Sequence, residues 1–334
     1  MNKKYSELAE LFRSEKTDEE ILDFLLNYHK NDIADMMAGM TEEERKRLYH
    51  LLGAQKVAEI FKYIEEPRKY IRELSVESAA RVISEMDSDD AVDLLEDLDP
   101  EEKEQIVRML DEDAKKDVKM LLSYDEEEIG SCMTTNYICI PEDLTIKQAM
   151  SELVKQAGEN DNIMTIYVVD EKGVFAGAID LKDLIRAREN THLKDLVLKS
   201  YPYVTDHEKI DDCMDRILDY AEDSIPVLSE DKRILGVITS EDLIEMVDNE
   251  MGEDYAKLAG LTAEEDLKEP IVQSMKKRLP WLIILLFLGM GVSSVVGLFE
   301  NVVAVLPIVI CFQSLVLDMA GNVGTQSLAV TIRV

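Results

Sequence analysis

Carboxylates crowd one short stretch of this chain. Asp242, Glu245, Asp248, Glu250, Glu253 and Asp254 fall within thirteen positions. Glu250 and Asp254 are four apart, as are Glu241 and Glu245, so on a helix like charges stack on common faces. Each such pair weakens a helix by about 0.2–0.5 kcal/mol unless a cation or basic partner lies between. No basic run of matching size exists elsewhere, which makes a metal cation the economical partner. The plain alternative is a solvated acidic face. A second set of spaced polar residues lies near the end of the sequence: Asp318, Asn322 and Gln326, also four apart, with Gly321 and Gly324 among them. They follow two apolar segments, 281–299 and 302–317, each near the roughly 20 residues that span a bilayer. A polar stripe on a membrane helix marks either a pathway or a glycine- and amide-lined packing face. Spacing alone does not choose between them.

The elements that must hold these residues change character along the chain. Residues 1–128 read as helices throughout, with Leu, Met and Ile at helical spacing between acidic stretches. They repeat internally. Asp32 to Glu44 matches Asp90 to Glu102 at a shift of 58, and Ser78 to Asp90 matches that second copy at a shift of 12. Each copy ends one helix at an apolar residue and starts the next with Thr41, Asp87 or Asp99, which can cap it. Stacked hairpins of this kind form an α-solenoid.

Residues 129–250 alternate strand-like runs (163–169, 174–179, 224–228 and 234–239) with helical segments. Two halves are copies at a shift of 59: Gly177 to Ile185 aligns with Gly236 to Ile244, and Tyr167 to Asp170 with Pro226 to Ser229. Met251 to Met275 reads as an acidic helical connector. Glu300 and Asn301 separate the two apolar segments, which read as a transmembrane hairpin.

Charge and composition narrow the function. The 334 residues carry a net charge of −33; from Ile271 onward four basic residues face two acidic ones, so residues 1–270 hold −35. That excess exceeds an ordinary solubilising surface. It argues against nucleic acid and anionic lipid as docking partners and suits a soluble region that meets cations. Cys132, Cys139, Cys213 and Cys311 make no CxxC pair, and the four histidines lack zinc spacing. The amino terminus has no signal-peptide core. Lys276, Lys277 and Arg278 precede the first apolar segment and Arg333 follows the second, which places both hairpin ends inside. No nucleophile–base pair, Walker loop or metal-hydrolase motif occurs, so no enzyme is expected.

A strand, a turn and then Gly-x-Ile-x-x-x-Asp-Leu-Ile, twice at about 60 residues, resembles a tandem CBS-domain pair. That resemblance implies nucleotide contacts at Asp180 and Asp183 in the first copy and at Thr239 and Asp242 in the second. Thr239 supplies the hydroxyl that Asp180 lacks. The bland reading is that Asp183 and Asp242 cap the helices that follow them.

An acidic α-solenoid, a CBS pair, an acidic connector and membrane helices with Gly321-Asn-Val-Gly-Thr-Gln326 together resemble the MgtE family of magnesium transporters and channels. The resemblance implies a multidomain protein: an all-α superhelical domain (1–128), an α/β tandem CBS pair (129–190 and 191–250), a connector or plug helix (251–276) and an α-helical transmembrane hairpin (277–334). It implies a homodimer in the plasma membrane, multi-pass, with a cytoplasmic amino-terminal region and a pore between the membrane domains. Mg2+ bound among the helical domain, CBS pair and connector holds that pore closed. The matching acidic positions are Asp87, Asp89 and Asp90, then Asp242 and Glu245, then Glu250, Glu253 and Asp254. Asn322 and Gln326 match the pore-lining helix, with Asp318 beside them. Family members have five membrane helices, the last supplying an acidic pore residue; with the sequence ending at Val334, the expectation is a chain without the final three, in which sensing survives.

The residue types agree with the ion. Mg2+ keeps several waters and is held by one or two carboxylates at about 2.1 Å, which suits Asp and Glu scattered over domains. Calcium favours a compact loop such as an EF-hand, and softer metals favour His or Cys. Two other classes stay open. One is a nucleotide-sensing membrane regulator with ATP or a related molecule in the CBS cleft. The other is a membrane-anchored α-solenoid scaffold that binds a protein and ignores divalent ions.

Overall fold

Local capping starts the helical domain. Thr17 and Thr41 each accept from the backbone N–H three residues on, while Glu20 and Glu44 accept from the cap N–H, closing two capping boxes. Ser75 and Asp111 cap two later helices in the simpler way. The computed structural model describes residues 17–64, 66–158, 160–188, 191–259, 271–299 and 307–332. Its helices are α1 (Asp18–Leu25), α2 (Lys30–Met37), α3 (Glu42–Phe61), α4 (Pro67–Ile71), α5 (Val76–Ser84), α6 (Ser88–Glu96), α7 (Pro100–Met109) and α8 (Glu112–Leu121). Helix α1 packs on α3, α3 on α5, α5 on α7 and α6 on α8, the next-but-one order of a solenoid. Their apolar faces bury Ile21, Leu25, Met37, Leu48, Phe61, Ile83, Leu94, Leu95 and Leu121.

Helix α3 is two rods. Gly53 breaks it at φ 75° and ψ 169°, a conformation that glycine adopts without strain. In the first rod Arg45 is buried, with Nε 2.9 and 3.1 Å from the Glu73 carboxylate and Nη1 donating to the Met37 and Met40 carbonyls. In the second rod the last residues bring Lys62 to the domain's acidic corner.

Two of the expected caps are diverted. Asp87 and Asp99 hold the N-cap positions of α6 and α7, yet neither side chain bonds its own helix. Asp99 pairs with Arg68 and Arg72, while Asp87 turns to Asn136 and Lys62. A guanidinium or ammonium is a stronger partner for a carboxylate than a backbone N–H.

The α/β part follows: β1 (Ile138–Pro141), α9 (Ile146–Gln156), β2 (Thr165–Val169), β3 (Phe175–Asp180), α10 (Leu181–Arg186), β4 (Val204–Thr205), α11 (Ile210–Leu218), β5 (Ser224–Leu228), β6 (Ile234–Thr239) and α12 (Ser240–Ala259). Two sheets, β1-β2-β3 and β4-β5-β6, each have a parallel pair and then an antiparallel pair. The halves repeat to the residue. Thr165 pairs with Asp180 as Ser224 pairs with Thr239, and the bulge at Val168/Val169 recurs at Val227/Leu228. Strands β1 and β4 are absent from the strand-like runs in the sequence, being only four and two residues long.

Tyr167 ties the halves together. It is fully buried, and its hydroxyl lies 2.6 Å from Ser224 Oγ; Tyr201 donates to the Ser224 carbonyl at 2.8 Å. Residues entering the α/β part lean on its second half: Ile129 N–H donates to the Glu208 carbonyl at 2.8 Å, and Thr134 pairs with Val237. Gly130 permits this approach, because a Cβ there would stand 2.8 Å from the Asp206 carbonyl oxygen and 2.9 Å from the Tyr124 ring.

The chain divides into two units, Met1–Leu243 and Ile244–Val334. Helix α12 runs unbroken from Ser240 to Ala259, so the acidic stretch expected to open a connector continues the helix that starts at Ser240. Helix α13 (Ile271–Leu298) contains a 21-residue stretch, Arg278–Leu298, of mean hydropathy 2.3, long and apolar enough to cross a bilayer. Its large apolar side chains, from Trp281 to Leu298, are exposed. Helix α14 (Pro307–Ile332) continues through the polar run. The expected hairpin turn at Glu300 and Asn301, and the start of the second apolar segment, lie outside the described residues.

Candidate metal centre at the helical–CBS boundary

The candidate site is a corner between the helical domain and the CBS pair. The start of α6 projects Asp87, Asp89 and Asp90. Facing them are Asn136, ahead of β1, and Glu241 and Asp242 in the first turn of α12. Polar bonds fix the boundary. The Thr135 N–H donates to Ser88 Oγ at 2.9 Å, and its hydroxyl to Asp117 at 2.8 Å. Asn136 Oδ1 accepts from the Asp161 N–H at 2.9 Å, which aims its amide Nδ2 at Asp87 Oδ1, 2.7 Å away. The corner opens into a cavity of about 390 Å3 whose lining includes Lys62, Asp87, Asp90, Asn136, Asp161 and Glu241.

Lys62 stands among the carboxylates. Its Nζ lies 3.2 Å from Glu241, 3.7 Å from Asp87 and 3.9 Å from Asp90. Burial pulls its pKa down, but the charges of Asp90, Asp87 and Glu241 outweigh that and hold it above the ordinary lysine value. One ammonium does not balance the corner. Burial first, then Asp242, Asp90 and Asp87, push Asp89 up to about 8. Burial pushes Asp90 up to about 7, with Lys62 opposing and Asp87 adding to the rise. Asp242 is also raised by burial, against the lowering effect of its bonds from Thr239. Asp89 Oδ1 is buried and, among the described residues, has no hydrogen-bond partner. A buried oxygen in that condition costs about 1–3 kcal/mol until a proton donor, water or cation meets it. The Cys132 thiol borders the same charges and is pushed up to about 11, chiefly by burial.

The residues expected from sequence divide clearly. Asp87, Asp89, Asp90 and Asp242 act on one another across the boundary. Glu245 lies about one turn further along α12 and is exposed. The side chains of Glu250, Glu253 and Asp254 lie outside the described residues, although their backbone belongs to α12. Among the described residues, no three Asp, Glu, His or Cys side chains converge as a preformed metal cage. Thr239 and Asp242 meet, but with each other: the Thr239 N–H and hydroxyl both donate to Asp242 Oδ2 at 2.7 Å. That is the helix-capping role. Asp180 begins α10 and is exposed, without a side-chain cap bond. In α14, Asn322 Nδ2 reaches Asp318 Oδ2 at 3.4 Å, so these two share a face as the spacing predicts.

Sequence reasoning missed Lys62 and Asn136, and it placed Glu241 only as a carboxylate stacked on Glu245. A lone lysine after Phe61 and a lone asparagine before a short strand carry no pattern.

Comparison with known proteins adds an independent line. Residues 28–127 match the family model of the MgtE intracellular N domain, and 127–190 and 193–249 match CBS domains. The chain is 38% identical, over its whole length and 74% of the relative's, to the magnesium transporter MgtE of Enterococcus faecalis. It is 32% identical to MgtE of Thermus thermophilus over 63% of this chain and 47% of that one. Among solved structures, the soluble part of a magnesium transporter aligns at TM-score 0.70 and 29% identity, covering 74% of this chain and 98% of that one. The cytosolic domain of the Mg2+ channel MgtE, solved with ATP, aligns at TM-score 0.65 and 27% identity, covering 72% of this chain and 99% of that one.

Proposed function

The chain belongs to the MgtE family, and from that premise we propose that it serves Mg2+ passage across the plasma membrane and senses Mg2+ on the cytoplasmic side. The observation that carries this reading is the acidic corner, where Asp87, Asp89 and Asp90 of the helical domain face Asp242 of the second CBS domain with two carboxyls pushed to about 8 and about 7. Burial first, and neighbouring carboxylates second, raise these groups, so a cation able to enter would be favoured.

In this mechanism the corner is an electrostatic latch. When Mg2+ is scarce, the corner's carboxyls either hold protons or, once ionised, repel one another, and ionisation loosens the helical domain from the CBS pair. Hydrated Mg2+ cancels that repulsion and draws the domains together, and α12 carries the change toward the membrane helices. Moving a two-state equilibrium from mostly open to mostly closed takes about 5.5 kcal/mol of differential binding. Several weak sites acting together suit that figure, so Glu245, Glu250, Glu253 and Asp254 on α12 are assigned as further ligands. Asn322 and Gln326, with Asp318, line the ion path on α14. A homodimer in the bilayer places two copies of that helix around one pore.

Limited proteolysis of the chain in detergent tests the latch. Millimolar Mg2+ protects the segment between α8 and β1, and NaCl of equal ionic strength does not. Equal protection by both salts would remove the specific site. A second reading rests on one observation, the Thr239–Asp242 pair at the start of α12, since a solved relative carries ATP in its cytosolic domain. In that reading a nucleotide in the second CBS cleft displaces Asp242 from Thr239. Calorimetry with ATP, with and without Mg2+, separates a nucleotide sensor from an ion sensor.

A further inference from the structure

We infer that Lys62 is a tethered cation: its ammonium occupies the acidic corner as part of the fold and holds a share of the closed latch without any Mg2+. The inference rests on the reading of that corner as the Mg2+ latch. Three observations carry it. First, Lys62 caps the C-terminus of α3, so its backbone is fixed by the solenoid, while its nearest carboxylate, Glu241 at 3.2 Å, belongs to the second CBS domain. The pair therefore crosses the boundary that the latch must close.

Second, the ammonium is shared rather than committed. Asp87 and Asp90 stand 3.7 and 3.9 Å away, beyond hydrogen-bond reach, and Asp87 keeps its own bond to Asn136. A charge held at that range by several carboxylates does the work of a hydrated ion, and it does not saturate them. Third, it is one charge among at least four carboxylates. The surplus shows in Asp89 Oδ1, which is buried and, among the described residues, has no hydrogen-bond partner. Room for a divalent ion remains after Lys62 is counted.

Lys62 thus sets the baseline of the latch. With it, the ion-free domains stay partly docked, and Mg2+ completes the closure. Without it, docking depends wholly on Mg2+, so the response covers a wider range.

The test compares wild type with Lys62→Met and Lys62→Arg, each as the full chain in detergent. The rate of proteolysis between α8 and β1 is measured in EDTA and at saturating Mg2+. The Glu241 side chain is 63% exposed, so water screens the pair, and Lys62→Met is expected to cut faster in EDTA by roughly two- to fivefold. It is expected to match wild type at saturating Mg2+, and Lys62→Arg to behave as wild type in both. Equal cutting of wild type and Lys62→Met in EDTA overturns the inference. A wild-type chain whose cutting does not change with Mg2+ refutes instead the reading of the corner as a latch. Circular-dichroism melting of the helical signal guards against a folding defect: a variant melting well below wild type is replaced by Lys62→Gln and measured in the same way.

Discussion

Mg2+ binding should release protons, and the number should follow from the corner's geometry. Asp89 is pushed up to about 8 and Asp90 to about 7, both chiefly by burial, from an ordinary value of 3.8. At pH 7 a carboxyl at about 8 is about nine-tenths protonated, and one at about 7 is about half protonated. The two are neighbours, so their protons leave as a pair property rather than residue by residue. Ligands to a metal must be ionised. Filling the corner at pH 7 therefore expels about one proton per chain, rising toward about two at pH 6 and falling toward zero near pH 9.

The same shifts fix the sign of the pH effect. Both carboxyls titrate higher when docked than in water. Ion-free docking is therefore fully present below about pH 4 and is lost as pH rises through about 7 to 8. Across that window each pH step costs up to about 1.4 kcal/mol per carboxyl, less whatever part of the burial α6 supplies by itself. Because filling the corner expels protons, acidification to pH 6 should raise the Mg2+ needed to fill it, even as it favours ion-free docking. The assay is calorimetry of Mg2+ binding in phosphate and in Tris, whose ionisation heats differ. The difference in apparent enthalpy counts the protons. Asp89→Asn should lose more than half of the release. A count near zero at pH 7, or one that grows with pH, would refute the proposal that Mg2+ enters this corner.

Two further predictions follow from other residues. Asp242→Ala combined with Asp254→Ala should raise the Mg2+ concentration that protects against protease, and an unchanged titration would mean that other carboxylates hold the ion. Arg45→Met should destabilise the helical domain by about 3 kcal/mol, because Glu73 keeps only the long Tyr49 hydroxyl bond as partner for a buried charge. The loss should appear as a lowered melting temperature in circular dichroism, and a change below about 1 kcal/mol would show that Glu73 reaches water.

What the sequence by itself determined was whatever short range and strict period control. Thr41 with Glu44 and Thr17 with Glu20 announce helix starts, and both boxes close. The shift of 59 between the CBS halves reappears in strand register and even in the bulge, since a strand's pairing follows its own alternation. The run of apolar residues from Arg278 to Leu298 needs only length and composition to be recognised. Asp318 and Asn322 share a face because a helix returns every four residues.

Only the tertiary structure decided what the acidic residues face. Asp87 and Asp99 sit where caps belong, yet their carboxylates go to Lys62, Asn136 and two arginines supplied by other helices and another domain. Asp242 was legible as acidic, but its nearness to Asp89 spans more than 150 positions. Lys62 carried no signal at all, because one lysine becomes a counter-ion only where folding has removed water and gathered charges around it. Desolvation and Coulomb energy depend on distance in space, and no spacing along a chain encodes a meeting between residues 62, 87 and 241.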